Sequence, residues 1–150
     1  MVTDSIRDII DFAIEREQEA CDFYTGLAGR VKLEAVASEL MKMADMELWH
    51  RRKLESVDVG KFISEPADSV PDLKITDYTV NIKPSDDMSW PDIVNLAMHR
   101  EMASVALYTD LAKMVTDPAV RSLFEHLTAE EEKHKFYLET IWDEEVMKGN

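Results

Sequence analysis

The chain has little cysteine, few bases and no long apolar run, and each shortage removes a class of protein. Its 150 residues include a single cysteine, Cys21. One cysteine cannot close an intramolecular disulfide, and without a Cys-x-x-Cys pair there is no zinc ribbon and no rubredoxin-type iron site. Lysine and arginine total 17 against 31 aspartates and glutamates, a formal net charge of −14. Such a surface repels nucleic acid and anionic membrane, so neither is expected as a partner. No apolar stretch approaches the ~18 residues that span a bilayer. The start, Met-Val-Thr-Asp-Ser, lacks a basic stretch followed by an apolar one, so no signal peptide is expected. A reducing cytoplasm is the expected compartment.

The few prolines punctuate the chain. Pro91 follows Ser89, and Pro118 follows Asp117, the pairing of an N-cap with a first-turn proline that starts a helix. Pro66, Pro71 and Pro84 fall in one stretch, about 61–88, which reads as non-helical, with 75–82 alternating weakly as an extended segment would.

Around these marks run four patterns of helical period. The first covers about 5–29, with Ser5 and Asp8 suited to cap its start. Its apolar stripe includes Ile6, Ile10, Ala13, Ile14, Ala20, Cys21, Tyr24, Leu27 and Ala28. The second covers about 33–58, with Val36, Leu40, Met43, Leu54 and Val57 inward and Gly60 just past its end. The third begins near Ser89 and carries Ile93, Ala97, Val105, Tyr108, Leu111 and Ala112. The fourth begins at Asp117-Pro118, carries Val120, Phe124, Leu127, Leu138 and Ile141, and runs to about 148. Short links join the first helix to the second and the third to the fourth, so each pair is an antiparallel hairpin. The expectation is one all-α domain over 1–150: hairpin 1 at about 5–58, a crossover at about 59–88, and hairpin 2 at about 89–148. Two hairpins joined by one long crossover form a four-helix bundle of the ferritin-like type.

The two hairpins are one sequence used twice. Residues 13–28 align with 97–112, and seven of the sixteen positions are identical: Ala13, Arg16, Glu17, Tyr24, Thr25, Leu27 and Ala28. The same offset of 84 residues carries Glu17 to Glu101, Glu47 to Glu131 and His50 to His134. The set is two lone glutamates and two Glu-x-x-His pairs, the ligands with which a four-helix bundle holds two metal ions.

All six residues stand on the apolar stripes. Glu17 lies between Ala13 and Ala20, and Glu101 between Ala97 and Val105. Glu47 and His50 fill the gap from Met43 to Leu54, and Glu131 and His134 the gap from Leu127 to Leu138. A charge on a core stripe is costly unless compensated, and four carboxylates together call for cations. In Glu-x-x-His the two side chains share a helix face. Glu17 precedes the first turn by about as many residues as Glu47 follows it. At ~1.5 Å per residue the two therefore reach one level. Carboxylate-rich sites with one imidazole per metal suit iron(II) or manganese and tolerate zinc. Two divalent ions would balance four carboxylates. Tyr24 and Tyr108, seven residues after their glutamates, are either core tyrosines or hydrogen-bonding neighbours of the carboxylates. Cys21 reads as a small core residue, while His99 and His126 read as structural or surface groups. Glu15, Glu19, Glu130 and Glu132 read as solvated.

Four segments, Glu17-Gln-Glu-Ala-Cys-Asp-Phe-Tyr24, Glu47-Leu-Trp-His50, Glu101-Met-Ala-Ser104 and Glu131-Glu-Lys-His134, resemble the rubrerythrin and bacterioferritin branch of the ferritin-like superfamily. The resemblance covers nearly the whole chain apart from the crossover. It implies two iron ions per chain on Glu17, Glu47, His50, Glu101, Glu131 and His134, with Glu47 and Glu131 bridging. It also implies a di-iron oxidoreductase that acts on hydrogen peroxide or dioxygen with an external electron donor, assembled as a homodimer or larger homo-oligomer. Members of the branch also oxidise or store iron(II), which makes a ferroxidase or iron-storage protein the alternative. A non-catalytic metal-binding bundle is a third reading. Two departures stand out: these 150 residues carry no rubredoxin-type cysteine pairs, and Ser104 occupies the position where rubrerythrins place a further glutamate.

Overall fold

The computed structural model describes residues 6–58, 60, 74–80 and 89–146, without the side chains of the last two. Its described residues form four α-helices: α1 (Ile6–Ala28), α2 (Glu34–Glu55), α3 (Trp90–Met114) and α4 (Pro118–Ile141). A short 3-10 helix covers Ile75–Tyr78, and α4 runs on into a π-helical turn at Trp142–Val146. The helices divide into two compact units, α1 with α2 and α3 with α4.

In the first unit α1 packs against α2. Its buried apolar residues are Ile9, Ile10, Ala13, Tyr24, Leu27 and Ala28 from α1, with Leu40, Met43, Ala44 and Leu54 from α2. Burying a side chain of the larger aliphatic kind stabilises the fold by about 1.5–3 kcal/mol. Ile9 is buried and Ile6 and Ile14 are half-buried, so the core stripe is narrower than the apolar one. The turn tightens α1 with Arg30 N–H donating to the Leu27 carbonyl at 3.0 Å. No side chain caps α2, whose N-cap is Leu33. The helix stops at Glu55, where the Ser56 N–H donates to the Lys53 carbonyl at 3.1 Å. That is earlier than the Gly60 stop read from the sequence, because a serine capping its own last turn ends the helix first.

The second unit is capped as the sequence suggests. Ser89 Oγ accepts from the Asp92 N–H at 3.3 Å and Asp117 Oδ2 from the Val120 N–H at 3.1 Å. Each satisfies one of the donors a helix start leaves open. α3 packs against α4 through Ile93, Leu96, Ala97, Leu107, Tyr108 and Leu111 on one side and Phe124, Leu127, Leu138 and Ile141 on the other. The Tyr108 and Phe124 rings stack with centroids 6.1 Å apart. In the turn between the helices, Arg121 Nε donates to the Val115 carbonyl at 3.1 Å.

Three expectations are corrected or left outside. The segment at 75–78 is helical, not extended. Its alternation arises because Tyr78 turns inward, 7% exposed, and donates its hydroxyl to Asp110 Oδ2 at 2.7 Å. α4 ends at Ile141 as an α-helix and continues only as a π turn. The Ser5 cap, most of the crossover and the chain beyond residue 146 lie outside the described residues.

Tyr78→Phe keeps the ring and removes the bond to Asp110. We expect it to destabilise the protein by about 1 kcal/mol, the net value of one such bond. Urea unfolding of the two proteins should show the midpoint move down with the slope unchanged.

Candidate metal centre

Each hairpin carries the same trio on its buried stripe. In the first hairpin, Glu17 on α1 is 1% exposed, and Glu47 and His50 on α2 are 1% and 0% exposed. His50 Nδ1 lies 3.4 Å from Glu17 Oε2 and 3.8 Å from Glu47 Oε1. In the second, Glu101 on α3 and Glu131 and His134 on α4 are exposed by 2%, 1% and 6%. His134 Nδ1 lies 3.5 Å from Glu131 Oε1 and 3.8 Å from Glu101 Oε1. Within each trio, one ligand atom per residue can be chosen so that all lie within 4.8 Å of one another.

Helix geometry produces this. A step of three residues turns a helix by about 300°, so Glu47 and His50, like Glu131 and His134, project from nearly one face. The lone glutamate reaches the same level from the antiparallel neighbour. Apolar residues one and two turns away hold the backbone in place: Ala13 and Tyr24 around Glu17, Met43 and Leu54 around Glu47 and His50.

The trios fit a metal by spacing and by chemistry. Ligand atoms about 2.1 Å from one ion lie about 3.0–3.4 Å apart around an octahedron or tetrahedron. Each histidine nitrogen lies 3.4–3.8 Å from its two glutamates, which needs only a small contraction. Carboxylate oxygens with one imidazole nitrogen are donors for iron(II), manganese or zinc. A cation between them attracts both buried carboxylates and outweighs their mutual repulsion.

Most of the remaining sequence candidates take the places expected of core or surface groups, Cys21 and Glu130 excepted. Tyr24 and Tyr108 are each 1% exposed. The ring of Tyr24 meets Phe23 edge-on at 5.5 Å, and that of Tyr108 stacks on Phe124. His99 and His126 are exposed, and His126 Nε2 lies 3.6 Å from Glu130. Glu15, Glu19 and Glu132 are exposed and Glu130 half-buried. Cys21 is half-buried rather than core. Burial holds its thiol pKa above the ordinary value, and the nearby Asp22 adds to this.

Two features of the first site had no signal in the ligand pattern. Trp49, 37% exposed, sets its ring edge-on to His50 at 5.9 Å. Arg51 reaches across from α2 to the Gln18 amide oxygen of α1. Gln18 in turn donates to Asp22 at 2.9 Å, and Arg51 Nε lies 3.4 Å from Glu55. The 84-residue offset places Lys133 where Trp49 stands and Met102 where Gln18 stands, so the second hairpin lacks the ring and the bridge to the neighbouring helix, while Lys135 and Glu139, 2.9 Å apart, repeat the Arg51–Glu55 pair.

Helical hairpins that each bury two carboxylates and an imidazole belong to the carboxylate–histidine metal proteins of helical fold. The chain is a member of the rubrerythrin family, whose model matches residues 8–141. Among solved structures it is similar to a Thermotoga maritima protein described as ferritin-like and diiron-carboxylate. That likeness has a TM-score of 0.78 and 20% identity over 97% of this chain and 99% of the other. It is also similar to a hypothetical protein from Pyrococcus furiosus, with a TM-score of 0.69 and 24% identity over 93% and 89% of the two chains. No curated protein matches it. The likenesses show the fold, which is all-α and ferritin-like, as the four helices and their spacing lead one to expect. No helix among the described residues is long and apolar enough to cross a membrane.

Two predictions follow from the buried carboxylates and the shielded thiol. Glu47→Gln removes one of two like charges held within the first hairpin. In metal-free protein we expect it to raise the unfolding free energy by about 1 kcal/mol, and in metal-loaded protein to lower it. Calorimetric scans with and without metal read the two signs; a loss in both would mean the carboxylates do not repel in the metal-free state. For Cys21, alkylation requires the thiolate, and the raised pKa makes that form scarcer at neutral pH. Iodoacetamide labelling of the folded protein should rise at a higher pH than labelling of the unfolded protein.

Proposed function

We propose that the two trios together hold a pair of iron ions and that the protein is a di-iron oxidoreductase acting on hydrogen peroxide or dioxygen. The observation that carries this reading is the burial of all six residues of a duplicated Glu, Glu-x-x-His set, none more than 6% exposed. Membership of the rubrerythrin family and the diiron-carboxylate description of the similar Thermotoga maritima protein support it. Manganese or zinc are the substitutes the same donors would accept.

When bound, the iron pair supplies the redox chemistry: hydrogen peroxide, two electrons and two protons give two waters, and an external donor restores the electrons. This chain's residues supply the setting. Four carboxylates balance the charge of two divalent ions. His50 and His134 contribute one neutral nitrogen each, their rings held by the helices that bear them. Burial excludes bulk water and strengthens every charge interaction at the site. With Ser104 short and neutral at the position of the further rubrerythrin glutamate, no carboxylate from that position is available to replace a histidine. We therefore assign both imidazoles as ligands in either oxidation state. Assembly as a homodimer or larger, in the cytoplasm, belongs to the same reading.

Anaerobic titration with iron(II), followed by peroxide or oxygen, tests it. We expect two iron ions per chain and their loss in Glu47→Ala combined with Glu131→Ala. We also expect peroxide consumption that continues only while a reductant is supplied. Consumption of added iron(II) without a reductant would support ferroxidation instead. Retention of two tightly bound ions by the double variant would rule out the assigned ligands.

A further inference from the structure

The two hairpins carry the same groove with different linings. Between α1 and α2, near their turn, a groove of about 380 Å³ is bordered by Thr25, Ala28, Gly29, Ala37 and Met41, with Ser38 and one ionised group, Glu34. Between α3 and α4, a groove of about 540 Å³ is lined by Thr109, Ala112, Lys113, Arg121, Glu125 and Thr128. The 84-residue offset superposes one set on the other. Thr25 and Ala28 recur unchanged as Thr109 and Ala112, but Gly29, Ala37 and Met41 become Lys113, Arg121 and Glu125. The duplicated frame was kept, and ionised groups stand at three positions of the second copy alone.

These groups are available to a ligand. Neither Lys113 nor Glu125 has an ion pair or hydrogen bond with any of the described residues. The Arg121 guanidinium is fixed from one side, Nε and Nη2 donating to the Val115 carbonyl at 3.1 and 2.5 Å. Thr128 donates its hydroxyl to the Phe124 carbonyl at 2.9 Å, which leaves its oxygen as an acceptor.

We propose that the α3–α4 groove binds a small hydroxy- or amino-carboxylate. Lys113 and Arg121 offer two cations to a carboxylate, and charge-assisted hydrogen bonds of this kind are the strong ones. Glu125 would repel a simple anion but accepts a hydrogen bond from a hydroxyl or ammonium beside the carboxylate. The lining carries one net positive charge in a chain of net charge −14, so an anion is drawn here in preference to most of the surface. The groove is open to solvent and Lys113, Arg121 and Glu125 are exposed, so a bound acid would stay partly hydrated. None of the six metal-site glutamates and histidines lines the groove, so the assignment stands or falls apart from the metal reading.

Isothermal titration of the whole protein with L-malate tests it, with succinate as the analogue lacking the hydroxyl and L-aspartate as the one with an ammonium. We expect saturable one-to-one binding of malate or aspartate and weaker binding of succinate. Lys113→Gln should weaken malate about threefold, the value of one exposed charge pair. It leaves the Arg121 contact in the turn untouched, and an unchanged melting midpoint would show that the fold is intact. Glu125→Gln should narrow the difference between malate and succinate, and Met41→Ala in the other groove should change nothing. Malate heats that chloride reproduces at equal ionic strength, or an affinity unchanged in Lys113→Gln, would overturn the proposal. Equal affinity for malate and succinate in the unsubstituted protein would overturn the role given to Glu125.

Discussion

Four carboxylates and two imidazoles occupy helix positions whose neighbours, a turn above and below, include alanine, methionine and leucine. Burying ionised groups there costs several kcal/mol each without compensation. Much else in the chain can be understood as support for that burial. Within each hairpin, the glutamate of one helix and the Glu-x-x-His of the next come to one level because the helices are antiparallel and of matched length from the turn. The apolar residues around them, with Tyr24, Tyr108 and Phe124 among the largest fully buried side chains, fix the backbones that carry the ligands. A rigid frame of this sort keeps like charges close until a cation separates them.

Duplication supplied two such frames, and the differences between them separate what the fold requires from what it merely permits. The trio, the Arg-Glu and Tyr-Thr pairs and the small residues at Ala28 and Ala112 are common to both. The turn is not: the second hairpin caps its last helix with Asp117 and ties Arg121 to Val115, whereas Leu33 offers no side-chain cap in the first. Flank residues differ most. Gln18 and Arg51 bridge the first pair of helices, where the second has Met102 and Lys135. Tyr78 anchors to Asp110, whose counterpart in the first hairpin is Gly26. Substitution at such exposed or half-exposed places costs the core nothing, so each hairpin was able to acquire groups of its own.

The sequence by itself determined the helix count, the hairpin pairing, both proline-marked helix starts and the burial of all six glutamate and histidine ligand candidates. Those properties are periodic or local: a 3.6-residue stripe, a cap with a proline behind it, a charged residue interrupting an apolar face, a repeat at constant offset. Tertiary structure decided the rest. Ile75–Tyr78 is helical and its Tyr78 hydroxyl donates to Asp110, a residue 32 positions away, a contact that alternation over a few residues cannot encode. Cys21 looked like core and is half-buried, because a stripe broader than the contact face leaves its edge residues at the rim. Trp49 lies edge-on to His50, and Arg51 reaches Gln18, for reasons that exist only once two helices are packed. Distances between ligand atoms belong to the same class. Spacing along a helix says which side chains share a face, while the approach of Glu17 to His50 depends on how closely α1 and α2 pack.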